Sequence, residues 1–355
     1  MYFTCSNDLQ KAMKVQLKPA SDSDPKYLWY AQTFRLNRKN CVVIMHPETW
    51  FSLVLWGVKA KDYAALPKEL PDYIRQLLKS YSISDDVIDA YLADCGEVTL
   101  AKNSSRRDTA RLNQISMDLK YYCDTDAEMD DTKLLQIRCS KNLNKAFRGK
   151  DYKCPYNSFV NFLRNAYSLP LYKANMYHLK ITLDFPDFEI SRVVRIPENT
   201  TFRILHRIIQ NCFNWQDEHL YEFSLLSNTG KVRKLILPKT QDDFGDDWEH
   251  SVPTMYDTDC TVGEIFSQTK KVRYVYDMGD NWEHEITLLK TSQEMEDVKP
   301  TCLEVTGKAP PEDCGGIYGY QELLSGDPEM VDWAKSMDWE EQTAEGISCS
   351  LRNFV

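Results

Sequence analysis

Short strand-like segments joined by tight turns are the feature that most constrains the fold of this chain. In its second half, apolar and β-branched residues gather in brief runs separated by glycine, asparagine and aspartate. Strands are predicted over 177–185, 190–196, 221–226, 232–237, 272–276 and 282–289, with a helix over 202–213. Strands linked by tight turns pair antiparallel, and helices then cover the sheet. The pattern predicts an α+β domain with a mostly antiparallel sheet and packed helices.

The first half mixes the same two kinds of element. Residues 27–34 and 41–45 are β-prone and flank a polar turn, which predicts a hairpin. Helices are predicted over 47–57, from Pro67 to about Ser80, and over 106–119, and Ser84 has the character of a helix cap. The first half is therefore also expected to be α+β.

Two domains follow from the length of the chain. Its 355 residues exceed what one core usually organises, since domains average about 100–200 residues. Residues 124–131 are acidic and lack apolar periodicity, as a linker does. We expect an α+β domain over 1–123, a linker and helical connector over 124–175, and a second α+β domain over 176–355.

The net charge of −10 is concentrated in the second half. Residues 176–355 hold 17 Lys/Arg against 33 Asp/Glu, whereas residues 1–175 hold 26 against 20. Charge of this sign repels a phosphate backbone, so a small molecule or a protein is favoured over nucleic acid as partner. A solvated acidic surface is the alternative explanation.

Features of secretion and membrane insertion are missing from the sequence. No basic segment followed by an apolar stretch opens it, and the longest apolar run, around 50–56, is shorter than the ~20 residues that span a bilayer. Eleven cysteines are scattered without a C-x-x-C pair. We expect a cytoplasmic protein with reduced thiols and no membrane partner.

Five blocks of the second half resemble, in order, the plasmid pRiA4b ORF-3-like family. They are 177–181 with Arg195-Ile196-Pro197, Leu205-His206 through Trp215, 219–223, 274–284, and 310–316 with Gly319-Tyr320. The chain departs from the family at Phe188 and Ser191, where Pro and Trp are usual, so the edge of that strand is expected to pack differently. The resemblance implies an accessory of mobile elements or host defence.

The first half resembles a domain of unknown function, DUF6933, over about residues 1–120. The resemblance lies in Cys5-Ser6 with Leu9 and Lys11, Trp29-Tyr30-Ala31, Arg38-Lys39, and the segment 103–113. It implies no activity.

The segment 277–284 holds most of the candidate chemistry. Asp277, Asp280, Trp282, Glu283 and His284 surround a glycine turn and are predicted to bind a ligand. A divalent metal is a candidate cofactor, with ligands predicted at His206, His219, Glu222 and His284. In the structural alternative, the aspartates accept turn N–H groups, and Trp282 and His284 pack in the core. A near copy of part of this block occupies 245–250.

Other candidate ligand-binding residues lie further apart. Glu312 and Asp313 follow two prolines in a rigid loop, and Tyr320 comes soon after. Arg106 and Arg107 open the last helix of the first half and suit a phosphate, although a solvated helix face explains them equally.

Two functions fit these residues, and the sequence does not decide whether the protein is an enzyme. One is a binding protein that takes a nucleotide or a protein partner in an acidic pocket. The other is a metal-dependent hydrolase acting on a nucleotide or a similar small substrate.

Overall fold

The structure of the protein is a computed structural model that describes residues 1–19, 24–122, 129–130, 132–149, 151–227, 229–238, 252–337, 339 and 342–351. The chain divides into two units, Met1–Leu171 and Tyr172–Val355, each with its own sheet. Both units mix helices and strands, which confirms the predicted α+β class. No helix in the described residues combines the length and apolar character needed to cross a membrane.

A five-stranded sheet organises the first unit. In chain order the unit contains β1 (Tyr2–Cys5), α1 (Asn7–Met13), β2 (Leu28–Leu36), β3 (Lys39–Met45), β4 (Ser52–Trp56), α2 (Ala60–Lys79), α3 (Asp85–Cys95), β5 (Thr99–Lys102), α4 (Arg106–Tyr122), α5 (Ile137–Lys145) and α6 (Pro155–Ala166). The strand order is β4-β3-β2-β1-β5, with β1 parallel to both of its neighbours. The predicted hairpin is confirmed, because β2 and β3 pair across a turn at Asn37 and Arg38.

The helix predicted over 47–57 is wrong, because strand β4 occupies this part of the chain. All five residues of β4 are buried, so the segment lacks the alternation of a half-buried strand. A short, fully buried apolar run fits a helix and a strand equally well by periodicity. Pairing with β3 decides in favour of the strand.

The other predicted helices of the first unit are present. α2 begins at Ala60 rather than at Pro67, and the Asp62 carboxylate accepts from the backbone N–H of Lys59 at 2.8 Å at its start. Ser84 caps α3 and α4 begins at Arg106, both as predicted. The predicted linker 124–131 lies mostly outside the described residues.

Side chains of α5 complete the outer edge of β4. The buried Asn144 bonds Ser52 twice, accepting from its backbone N–H at 2.7 Å and donating to its carbonyl at 2.8 Å. The Ser140 hydroxyl accepts from the N–H of Val54 at 3.0 Å. An edge strand presents unpaired backbone groups, and these two side chains satisfy them in place of another strand.

An eight-stranded sheet organises the second unit. In chain order the unit contains β6 (Lys173–Leu183), β7 (Ile190–Pro197), α7 (Phe202–Phe213), β8 (Tyr221–Leu226), β9 (Val232–Leu237), β10 (Thr254–Tyr256), α8 (Val262–Phe266), β11 (Lys271–Tyr276), β12 (Trp282–Met295), β13 (Thr301–Thr306), α9 (Gly316–Ser325), α10 (Pro328–Ser336) and α11 (Ala344–Leu351). The strand order is β10-β9-β8-β11-β12-β6-β7-β13. All neighbours pair antiparallel except β9 and β10, which confirms the predicted mostly antiparallel sheet.

The two faces of this sheet differ in character. One face carries buried rings such as Tyr274 and Trp282, which belong to the same core as the apolar side of α7. On the other face, ion pairs such as Arg273 with Glu283 lie at the surface. The alternation along β11 and β12 therefore separates residues that are neighbours in sequence.

Candidate functional site

Three loops of the second unit meet at one end of its sheet. They are the loop from α7 to β8 (residues 214–220), the turn between β11 and β12 (277–281), and the segment before α9 (310–315). The N–H of Asp277 donates to the carbonyl of Leu220 at 2.9 Å, which joins the first two loops. Trp215 Nε1 donates to the carbonyl of Pro310 at 3.1 Å, which joins the first and the third. Sheet order brings the first two loops together, since β11 lies between β8 and β12.

Each loop contributes one side chain to a cluster of ligand atoms. Nε2 of His219 lies 2.8 Å from Oδ1 of Asp313 and 3.8 Å from Oδ2 of Asp277. Among the His, Cys, Asp and Glu residues that the structure describes, these three form the group whose ligand atoms all lie within 4.8 Å of one another. Asp277 is nearly buried, whereas the Asp313 side chain is 53% exposed. The cluster therefore opens to solvent on one side.

Local turn chemistry explains why Asp277 faces His219. Its Oδ1 accepts from the N–H of Gly279 at 2.8 Å, and its carbonyl accepts from the N–H of Asn281 at 2.7 Å. Aspartate often stabilises a turn in this way. The other carboxylate oxygen of Asp277 is directed to His219.

Left-handed backbone conformations gather in these loops. Asn214, Asp217, Asp277, Asn281 and Asp313 have φ angles between 55° and 62°. Such conformations disfavour side-chain-bearing residues, although Asn and Asp tolerate them best. Backbone strain of this kind is typical of functional sites.

Gly316 permits the third loop to approach the second. At its φ of 68°, a Cβ atom would lie 2.9 Å from the carbonyl oxygen of Asp280, so a larger residue would push the loops apart. The N–H of Gly315 donates to the Asp280 carboxylate at 3.2 Å. The two glycines thus hold Asp280 beside the third loop.

The protonation of His219 is controlled by its carboxylate neighbours. Burial alone would lower the pKa of this histidine, but Asp277 and Asp313 outweigh that effect and raise the pKa above its ordinary value. The two carboxylates therefore favour the protonated form of His219.

Two buried networks lie behind the cluster. Tyr276 donates to the Glu312 carboxylate, and burial together with that carboxylate raises the pKa of the phenol, which stays protonated. His206 bonds Asp217 through Nε2 at 2.6 Å and Tyr274 through Nδ1 at 2.8 Å. Both networks end on the loop that carries His219.

The four predicted metal ligands do not come together. His219 is the one that lies in the cluster. His206 is buried in its network with Asp217, and Glu222 lies along β8 with its backbone paired to β11. His284 is buried against the rings of Phe213 and Trp215, and burial lowers its pKa to about 3. The structural alternative fits His284.

The predicted ligand-binding residues divide in the same way. Asp277, Asp280 and Asp313 are at the meeting point of the loops, as the contacts above show. The others have structural contacts: buried Trp282 beside Trp215, Glu283 paired with Arg273, Glu312 bonded to Tyr276, and Tyr320 donating to the Lys308 carbonyl at 2.9 Å.

Arg106 and Arg107 belong to the first unit. They open α4, where Arg106 borders a shallow groove of about 350 Å³ with neighbouring serine, threonine and asparagine side chains. Arg107 pairs with Asp108 at 3.4 Å. The structure thus places them on a different unit from the cluster. The near copy at 245–250 lies outside the described residues.

Sequence reasoning missed the grouping of His219 with Asp277 and Asp313. It also missed Gln216, Asp217 and Tyr276, which hold the loops. For Asp277 and Asp313 the sequence did offer a signal. Both have positive φ angles in turns, and aspartate is one of the residues that such turn positions favour. Nothing in the sequence indicates that the two turns are neighbours.

Comparison with known proteins covers both units. The model of the plasmid pRiA4b ORF-3-like protein family matches residues 175–345, and that of the domain of unknown function DUF6933 matches residues 2–158. Both predicted resemblances are thereby confirmed. The first match includes the whole cluster.

A curated protein and a solved structure are each similar to about half of this chain. An uncharacterized protein, y4hQ of Sinorhizobium fredii (strain NBRC 101917 / NGR234), is 30% identical over 184 residues, which are 48% of this chain and 87% of that protein. The crystal structure of the protein of unknown function MM3350 from Methanosarcina mazei Go1 is 30% identical, with a TM-score of 0.42, over 49% of this chain and 97% of that one.

Proposed function

This chain belongs to the plasmid pRiA4b ORF-3-like family, and from that premise we propose that it is a binding protein whose second unit holds a divalent cation. The cation would lie between His219, Asp277 and Asp313, at the base of an acidic pocket. A protein partner or a small molecule is then bound through the same pocket.

The observation that carries this proposal is the convergence of three ligands from three loops within 4.8 Å. One imidazole and two carboxylates are donors that divalent ions such as Mn²⁺ and Zn²⁺ accept. The fixed turns support a preformed site, because binding then requires little reordering.

The charge of the second half supports a cationic occupant. A net charge of −16 over residues 176–355 attracts cations and repels a free phosphate group. A bound divalent cation would reverse that preference locally, because it becomes the largest charge in the site. A nucleotide is therefore compatible with this pocket mainly when the cation is present.

Titration calorimetry with Mn²⁺ and Zn²⁺ tests the proposal. We expect one saturable site per chain, with His219→Ala, Asp277→Asn and Asp313→Asn each weakening binding by about 100-fold or more, since even an outer partner of a metal ligand is worth about 10- to 100-fold. Asp332→Asn is the matched control, because this exposed carboxylate of the same unit pairs with Lys335 in α10. Equal binding by all four variants and the wild type would refute the proposal.

A metal-dependent hydrolase is the second candidate function. Three protein ligands on a solvent-open cluster leave coordination positions for water, as catalytic metal sites do. Hydrolysis of ATP and of bis(p-nitrophenyl) phosphate, measured with Mn²⁺ or Zn²⁺, tests it. Activity that disappears in Asp277→Asn supports the hydrolase. Cation binding without turnover rules out the hydrolase and supports the binding protein.

A setting on mobile elements, in the cytoplasm, completes the proposal. The family description names a plasmid reading frame, which supports an accessory role in mobile elements or host defence. The ten cysteines that the structure describes are free thiols, which is usual in a reducing compartment.

A further inference from the structure

Glu312 lies behind the cluster rather than in it. Its side chain is buried, and both carboxylate oxygens are used: Oε1 accepts from the phenol of Tyr276, and Oε2 accepts from the backbone N–H of Gln216 at 2.6 Å. Burial of a carboxylate destabilises the folded state unless the carboxylate is hydrogen-bonded, so the burial of Glu312 depends on these two bonds. The oxygens of Glu312 are thus occupied by the loop from α7 to β8 and by the last residue of β11.

Tyr276 extends the same connection. While donating to Glu312, its hydroxyl accepts from the backbone N–H of Glu218 at 3.1 Å. Its ring stacks on Trp215 with centroids 5.0 Å apart and an interplanar angle of 21°. The phenol therefore contacts the His219 loop at two further points.

The sequence positions of these contacts match the three ligands. Glu312 directly precedes Asp313, Tyr276 directly precedes Asp277, and Glu218 directly precedes His219. The hydrogen bonds among the preceding residues thus link the backbones of all three ligands, one residue away from each. Any shift of this junction changes the spacing of the ligand atoms.

We infer that Glu312 and Tyr276 are positioning residues that set the spacing of His219, Asp277 and Asp313, and that neither contacts the cation. This inference rests on the proposed function. Residues that orient metal ligands contribute about 10- to 100-fold to affinity.

Mn²⁺ and Zn²⁺ binding by two variants tests the inference. Glu312 accepts from two donors, and Glu312→Gln places an amide N–H₂ group against one of them. Tyr276→Phe removes the hydroxyl but keeps the ring. Each is expected to weaken the binding of whichever ion the wild type takes by about 10- to 100-fold. Because both variants alter the Tyr276–Glu312 hydrogen bond, the double variant should weaken binding by less than the product of the two single effects.

Tyr320→Phe is the matched control. It removes another buried phenol of the same unit, one that donates to the Lys308 carbonyl. Its affinity should equal that of the wild type, even where its melting temperature falls as far as that of Tyr276→Phe. This comparison separates positioning from general loss of stability.

The outcomes distinguish the inference from the proposed function. A wild type that binds neither ion overturns the proposed function and the inference with it. A wild type that binds, with Glu312→Gln and Tyr276→Phe binding equally well, overturns the inference alone. If Glu312→Gln does not fold, Tyr276→Phe and its control decide the matter.

Discussion

The two units use buried polar side chains for different ends. In the first unit, Asn144 and Ser140 complete the edge of β4 through three hydrogen bonds with its backbone groups. In the second unit, Glu312 and Tyr276 connect loops, and the aspartates that follow them form, with His219, a cluster that is open to solvent on one side. Polar groups that close a sheet leave nothing for a ligand, whereas polar groups that brace loops can leave one side of a cluster open.

Two histidines show the same contrast. His46 in the first unit is fully buried, and its two ring nitrogens contact Thr49 Oγ1 at 2.9 Å and the Lys26 carbonyl at 3.1 Å. Burial lowers its pKa to about 4. His219 in the second unit is one-third exposed, and its pKa is raised. Both ring nitrogens of His46 are engaged inside the core, whereas His219 is accessible to solvent beside two carboxylates.

The largest expected effect is a loss of stability when the side chain that completes the edge of β4 is removed. Asn144→Leu leaves the N–H and the carbonyl of Ser52 buried without their partner, which costs about 4 kcal/mol of unfolding free energy at about 1–3 kcal/mol for each stranded group. Urea unfolding of the full chain measures this loss.

Asn142→Leu is the control for this change, because Asn142 is exposed on the same helix. It should be close to neutral, and cation binding by the second unit should be the same in both variants. Equal stability of the two variants would show that the α5 side chains do not complete the sheet.

The next effect is a pH dependence that originates in His46. The unfolded histidine binds a proton near pH 6.5, whereas the folded one does so only near pH 4. The folded state therefore binds fewer protons in this window, so stability falls as the pH drops from 6.5 to 4, by about 3 kcal/mol in total.

His46→Gln should remove this contribution. Its unfolding free energy, measured at several pH values, is expected to fall less steeply below pH 6.5 than that of the wild type. Identical slopes for the two proteins would mean that folding does not lower the pKa of His46.

The smallest expected effect sharpens the description of the second unit. Asp280 is beside the cluster but not part of it, and a neutral asparagine can still accept from Gly315. Asp280→Asn therefore removes only a neighbouring charge, and we expect cation affinity to fall by less than about tenfold, that is, by less than about 1.4 kcal/mol. If Asp280→Asn loses as much cation affinity as Asp277→Asn, Asp280 is itself a ligand.

Strands and helices with turn signals were predictable from the sequence. The helix Phe202–Phe213 and the strands Tyr221–Leu226 and Val232–Leu237 have the predicted bounds, because each lies between clear caps or turns. Ser52–Trp56 was not predictable as a strand, because a fully buried run shows no period.

The site was predictable only in part. His219, Asp277 and Asp313 were all candidates, but their grouping depends on β11 lying between β8 and β12, and strand order is not a local property of the sequence. His206 and His284 were grouped with His219 by residue type. They instead lie in the core, because the helical period places His206 on the buried side of α7 and the strand alternation places His284 on the buried face of β12.

Anomalous diffraction from crystals grown with stoichiometric Mn²⁺ or Zn²⁺ tests the central claim most directly. The account predicts one peak in the second unit, about 2.0–2.2 Å from Nε2 of His219 and from carboxylate oxygens of Asp277 and Asp313. It also predicts that the peak disappears in Asp277→Asn. A peak at other residues, or none while His219 stays bonded to Asp313, would contradict it.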